Sequence, residues 1–194
     1  MNSVIKKQIM QVIEDHKKNV SELEAKGIGP LAAAAEKITE VLKKGGRIYI
    51  CGNGGSAADA QHIAAELVGK FTRQRQALPA VALTTNTSVI TSISNDYNYE
   101  SIFVRQVEAL VNKGDILWAI STSGTSPNVI AAAELAKKKK ACVIAFTGRK
   151  NTKLERIADI CFCANEKSTA RSQEAHQLGY HIICDLVERS FTDN

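Results

Sequence analysis

The chain has 194 residues, a net charge of +5 and 44% hydrophobic content, enough to bury one sizeable core. No apolar run approaches the roughly 18 residues of a membrane span, and the polar start MNSVIKKQ lacks a signal-peptide core, so no membrane contact is expected and the cytoplasm is the default location. Aromatic residues make up only 5%, and the one basic run, Lys137 to Lys140, closes a predicted helix where cations suit the negative dipole end, so nucleic-acid binding is poorly supported and a small anionic ligand fits at least as well.

In chain order, residues 3 to 24 read as an amphipathic helix, with Ile5, Ile9, Val12, Ile13, Val20 and Leu23 recurring at helical spacing. His16 lies on it as an exposed residue rather than a ligand. Lys26 to Pro30 breaks the helix, and a second one over 31–44 ends at Gly45-Gly46 as a glycine C-cap should. Neither helix carries an obvious chemical group, so packing or subunit association is their expected work. Strands and helices then alternate: strand Arg47–Cys51, helix 56–72, strand Ala80–Leu83, a short helix near 87–93 and a helix over 99–112. Strand Ile116–Ile120, helix 127–139, strand Ala141–Phe146, a short helix near 151–157, strand Ile160–Cys163 and a long helix over 169–190 complete the chain. Short continuous apolar strands between helices imply a parallel sheet covered on both faces. The expectation is a doubly wound three-layer α/β/α sandwich of about five strands, a single domain over 1–194 with 1–44 as an N-terminal helical segment. Five cysteines include no C-x-x-C and lie mostly in apolar runs, so they read as reduced core thiols.

Ligands of such folds bind at the carboxyl ends of the strands, and two strand-to-helix turns stand out there. The first is CGNGGSAADAQHIAAE, Cys51 to Glu66. Gly52, Gly54 and Gly55 let the backbone approach a ligand closely, while the new helix, with Ser56 read as its cap and Asp59 three residues on, aims free N–H groups at the same place. Such a turn also serves merely to reverse the chain. Within the helix, His62 and Glu66 stand four apart on one face, a spacing that is more often a plain surface pair than a site. In the second turn, Ser121-Thr122-Ser123-Gly124-Thr125-Ser126-Pro127, Ser126 reads as N-cap and Pro127 as the first helical residue. A capping loop explains Ser126 but not the density of hydroxyls. Neutral donors converging on a helix start, without the lysine of a P-loop, suit a phosphate monoester. The last helix adds Arg171-Ser172-Gln173-Glu174-Ala175-His176 and His181. Gln173, His176 and Gln177 fall near one stripe, where polar residues ordinarily face solvent.

Taken together, GNGGSAADAQHIAAE, the acid-amide pair in SISNDY, STSGTS and RSQEAHQLGYH resemble, in order and over essentially the whole chain, the sugar isomerase (SIS) family with its flavodoxin-like fold, and within it the phosphoheptose isomerases. The resemblance implies conversion of sedoheptulose 7-phosphate to D-glycero-D-manno-heptose 7-phosphate, toward the heptose of bacterial surface glycans such as lipopolysaccharide. It also implies a homotetramer and one zinc ion per subunit. Position by position, it implies that Asn53, Gly54, Gly55 and Ser56 line the sugar site and that Asn95 and Asp96 bind sugar hydroxyls. Ser121, Thr122, Ser123 and Ser126 would hold the phosphate, Glu66 and His181 would form the catalytic pair, and His62, Glu66, Gln173 and His181 would be the zinc ligands. Lys70 stands where the family often has Arg, and a point charge does not replace a bidentate fork.

The chemistry asks for such a set, because aldose–ketose isomerisation moves a proton between C1 and C2 through a cis-enediol and needs a base over carbon and an acid at the carbonyl oxygen. Glu66 reads as the base and His181 as the acid. Eight residues of helix separate Gln173 from His181, about 12 Å of rise, a long reach to one metal ion. Either Gln173 lies on an irregular helix start or another subunit completes the site, so pockets are expected at subunit interfaces. Two other functions compete. A non-catalytic SIS tetramer that binds the bacterial replication initiator would be depleted at the acid–base positions, whereas Glu66 and His181 are both present. A sugar-phosphate-sensing module would ordinarily carry a DNA-binding domain, for which the chain shows no segment.

Overall fold

A computed structural model describes residues 2–192. Five strands, β1 (Ile48–Gly52), β2 (Ala80–Ala82), β3 (Ile116–Ser121), β4 (Cys142–Thr147) and β5 (Ile160–Cys163), form one parallel sheet in the order β2-β1-β3-β4-β5. Every residue of β1 and β3 is buried, which is why these strands read as unbroken apolar runs rather than alternating ones. Helices α2 (Ile28–Lys43), α3 (Gly55–Val68) and α8 (Thr169–Arg189) cover one face, packing Ile38, Ile63 and Ile183 on Ile50, Trp118 and Phe146. On the other face α5 (Ser101–Leu110), α6 (Pro127–Lys138) and α7 (Lys153–Ile157) pack Phe103, Val129 and Leu154 on Tyr49, Leu117 and Val143. The three-layer sandwich expected from the sequence is present.

Strand order reverses between β1 and β3, which makes the crevice at their carboxyl ends the place where folds of this kind receive ligands. Register places Gly52 beside Ile120, and the glycine turn and the hydroxyl turn leave the sheet side by side.

Several boundaries differ from expectation. The break between α1 (Ser3–Lys26) and α2 is Gly27 alone; Gly29 and Pro30 fall in the first turn of α2, where a missing N–H costs nothing. Helix α3 begins at Gly55 with Gly54 in the cap position at φ 56°, and Ser56 lies inside the helix, 3% exposed, rather than capping it. It stops at Val68, not near 72, for a reason given below. Helix α4 extends over Thr87–Asp96. The C-terminus of α2 follows expectation, with Gly45 at φ 82° and N–H bonds from Gly45 and Gly46 back to Leu42 and Val41. Of the cysteines only Cys51 and Cys184 are core thiols; Cys142, Cys161 and Cys163 are half-buried. The stripe of α1 is largely uncovered, with Ile5 49%, Ile9 50% and Ile13 43% exposed. Among the described residues no helix is long and apolar enough to cross a membrane.

Candidate active site

At the switch point, local chemistry shapes both turns. A Cβ on Gly52 would stand 2.7 Å from the Ser56 carbonyl oxygen, so only glycine lets the strand turn so tightly into α3. In the second turn the Ser121 hydroxyl is 3.0 Å from that of Ser126 and 3.3 Å from that of Ser123, and it accepts the Gly124 N–H at 3.1 Å. Ser126 does occupy the N-cap position, but its side chain makes no cap bond; its hydroxyl turns to Ser121 instead. Thr122, Ser123 and Ser126 are half-buried and Ser121 is buried. The loop is a nest of hydroxyls above a helix start, suited to an anion.

The two turns are stitched by Asn53 and a partner that sequence reasoning did not single out, Asn128. Asn53 and Asn128 donate to one another's carbonyl oxygens, both at 2.9 Å, and Tyr99 donates to Asn53 at 3.1 Å. Asn128 is 2% exposed on the inner face of α6 among Val129, Ala132 and Ala133. An amide at an otherwise apolar helical position was the available signal.

Helices α3 and α8 run side by side in the same direction, which aligns their polar residues by level. At the first level Gln173 lies against Gly55, where an added Cβ would come within 2.7 Å of the Gln173 Cδ. Two turns on, His62, Glu66 and His181 converge, each offering a ligand atom within 4.8 Å of the others. The His62 Nε2 is 3.0 Å from Glu66 Oε1, and its Nδ1 is 2.9 Å from the Tyr180 hydroxyl. The rings of His62 and His181 meet edge to face at 5.0 Å. Burial, with the neighbouring His62 in support and Glu66 opposing, holds His181 below the usual imidazole value. Beside Tyr180, burial pushes Asp59 up to about 6, partly offset by His62 and the phenol.

These donors suit a metal ion. Two imidazoles and a carboxylate form a common zinc-binding set, and the His181 Nε2 is buried without a hydrogen-bond partner among the described residues, so a cation there would satisfy an atom they leave unpaired. Gln173 stands on a regular turn of α8, which removes the irregular helix start as the explanation of its reach.

Other expected residues lie elsewhere. Asn95 and Asp96 end α4 exposed, and among the described residues their side chains bond only to each other, at 2.9 Å. Asp96 faces a groove of about 620 Å³ between α4 and α5, with Val81, Ile93 and Arg105, not the switch-point crevice. Lys70 is exposed just beyond α3. His176, expected near a solvent stripe, is fully buried: its Nε2 is 3.1 Å from the Thr147 carbonyl and its ring packs on Phe146. His16 is not idle, since its Nδ1 pairs with Glu174 at 2.7 Å and ties α1 to α8.

Comparison with known proteins identifies the family. A family model described as the SIS domain matches residues 11–148, which takes in both turns, His62 and Glu66 but stops short of α8. Full-length relatives supply the rest. The phosphoheptose isomerase of Helicobacter hepaticus is 44% identical over 189 residues, 95% of this chain and 96% of its own; that of Roseiflexus sp. is 51% identical over 160 residues, 82% and 81%. The solved phosphoheptose isomerase of Neisseria gonorrhoeae superposes with a TM-score of 0.90 at 40% identity, over 95% of this chain and 99% of that one. With the sheet, both turns and the terminal helix all accounted for, the chain belongs to the SIS domain family and, within it, to the phosphoheptose isomerases.

Proposed function

We propose that the chain converts sedoheptulose 7-phosphate to D-glycero-D-manno-heptose 7-phosphate by proton transfer through a cis-enediol, with Glu66 as base at carbon and His181 as acid at the carbonyl oxygen. The observation that carries this reading is the convergence of the Glu66 carboxylate and the His181 imidazole within 4.8 Å, close enough to serve adjacent atoms of one substrate. Phosphate binds the hydroxyls of Ser121, Thr122, Ser123 and Ser126, and the sugar runs past Asn53, Gly54, Gly55, Ser56 and Gln173 toward His62. Gly55 and His62 are seven helical residues apart, about 10 Å, which calls for an elongated ligand.

Zinc is the metal we assign to His62, Glu66 and His181; Gln173, two helical turns away on α8, joins them as a further ligand where a neighbouring subunit completes the site. When bound it would polarise a carbonyl oxygen. A homotetramer is the expected assembly: the uncovered stripe of α1 needs burial, and a second copy can bring Asn95 and Asp96 to the sugar of its neighbour, placing each site at a subunit interface. The chain functions as one SIS domain with 1–44 as its associating segment, in the cytoplasm, supplying heptose for surface glycans. NMR of sedoheptulose 7-phosphate incubated with the protein should show aldose formation, and Glu66→Gln should lower kcat by at least about 100-fold. Near-normal turnover by that variant would remove Glu66 from the role of base.

A further inference from the structure

Helix α3 ends earlier than its sequence pattern suggests because the chain beyond it is taken up by two buried charges. Glu188, in the last turns of α8, is fully buried. Its carboxylate accepts three successive backbone N–H groups, from Phe71 at 2.8 Å, Thr72 at 2.6 Å and Arg73 at 2.7 Å, and the Thr72 hydroxyl at 3.2 Å. Arg75 lies 3.4 Å away through its Nε, both side chains 1% exposed. Its other nitrogens donate to the carbonyls of Glu66 and Gly69, both at 2.7 Å, and of Gln76 at 3.0 Å.

An ion pair shut away from water contributes little net stability against an apolar replacement, so its location is the more informative fact. One of the three carbonyls that Arg75 grips belongs to Glu66. The backbone that Glu188 grips carries Phe71, whose ring lies 5.5 Å from that of His181, tilted by 42°. One charge pair therefore braces the turn that presents the carboxylate and the ring that leans on the imidazole.

We propose that Glu188 and Arg75 are positioning residues for the isomerisation, setting Glu66 and His181 relative to one another through the 69–76 segment and Phe71. The inference rests on the roles given above to Glu66 and His181. Neither clamp residue touches the reacting atoms. Burial by itself would raise the pKa of Glu188, yet the N–H groups of Thr72, Arg73 and Phe71 outweigh it and hold the carboxyl below its usual range, as a charge in a backbone nest should be held.

A double-mutant cycle separates positioning from plain stability. Glu188→Gln sets an amide NH₂ against N–H donors, and Phe71→Ala removes the contact through which the clamp reaches His181. Each single change is expected to lower kcat roughly ten-fold with KM within about two-fold, and the double variant should lose no more than either single one. With selectively labelled histidine, the His181 ring-proton resonances should shift in both variants, because the Phe71 ring current is displaced in Glu188→Gln and lost in Phe71→Ala. Should Glu188→Gln not fold, Arg75→Lys keeps the charge but, as a single compact nitrogen, cannot face Glu188 and span the three carbonyls at once, and it must reproduce the kcat loss and the resonance shift. Multiplying losses in the double variant, or lowered thermal stability with unchanged kcat and an unmoved His181 resonance, would overturn the proposal. Because the resonance reads geometry without turnover, a wild-type protein that fails to isomerise the heptose phosphate would sink the proposed function alone.

Discussion

His176 offers a quantitative test of the packing beneath the phosphate loop. Its imidazole is fully buried between Phe146 and Phe162, with Nε2 at the Thr147 carbonyl and Nδ1 facing no partner. Burial drives its pKa down to about 4 from 6.5, only partly opposed by the Thr147 bond, because a proton on Nδ1 would have no acceptor. In the unfolded chain the same group titrates near 6.5. Folding therefore excludes a proton that the unfolded state takes up, and stability is full above pH 6.5 and lost as pH falls toward 4. A difference of about 2.5 units at 1.36 kcal/mol each gives a loss of about 3 kcal/mol when complete. Urea unfolding at fixed subunit concentration, from pH 7 to 4.5, should show the wild type losing roughly 2 kcal/mol more than His176→Gln, which keeps a donor for Thr147 but does not titrate. Parallel slopes for the two proteins, within about 1 kcal/mol, would refute the account. The consequence reaches the active site, since Thr147 precedes Gly148, whose N–H donates to the Thr122 carbonyl at 3.0 Å.

Ser126→Ala should raise KM for the phosphorylated sugar about ten-fold while changing unfolding free energy by less than about 0.5 kcal/mol, because the hydroxyl bonds Ser121 and caps nothing; a stability loss near 1 kcal/mol would mean that it caps α6 after all. Equilibrium dialysis with metal analysis should find one zinc per wild-type chain and at least ten-fold weaker binding by His62→Ala, and equal affinity would dismiss the site. Paired Ile9→Lys and Ile13→Lys changes on α1 should dissociate the assembly in size-exclusion chromatography without unfolding the sheet, since both residues are already about half exposed in the single chain. An unchanged elution volume would show that this stripe is not the contact.

How far the sequence anticipated these features depends on which physical signal each one leaves. The strands left the strongest, because a strand buried on both faces must be apolar at every position, as Ile48 to Cys51 and Ile116 to Ile120 are. The two turns were legible for the opposite reason, since glycines and hydroxyls interrupt those runs at the carboxyl end of the sheet. Direction was harder. Ser56 follows a strand as a cap would, yet the positive φ of Gly54 starts the helix earlier and turns the serine inward. His176 looked polar in a polar stretch, although the buried Ser172, Ala175, Gly179 and Ile183 mark its face at helical spacing; small residues there were the sign that α8 packs closely on the sheet.

Pairing across the chain was not legible from periodicity at all. A helical period shows that His62 and Glu66 share a face and that Gln173 and His181 lie two turns apart, but not which helices become neighbours. Here α3 and α8 settle on the same sheet face in the same direction, so His62 meets His181 and Gly55 meets Gln173. Parallel neighbours keep their levels apart, and the two-turn separation between Gln173 and His181 persists in the fold instead of closing. A ligand or cation that engages both must occupy the gap between those levels, at the open edge of the site where another subunit can complete the enclosure. Asn95 and Asp96, set on the remote α4, require the same neighbour if they are to touch the sugar.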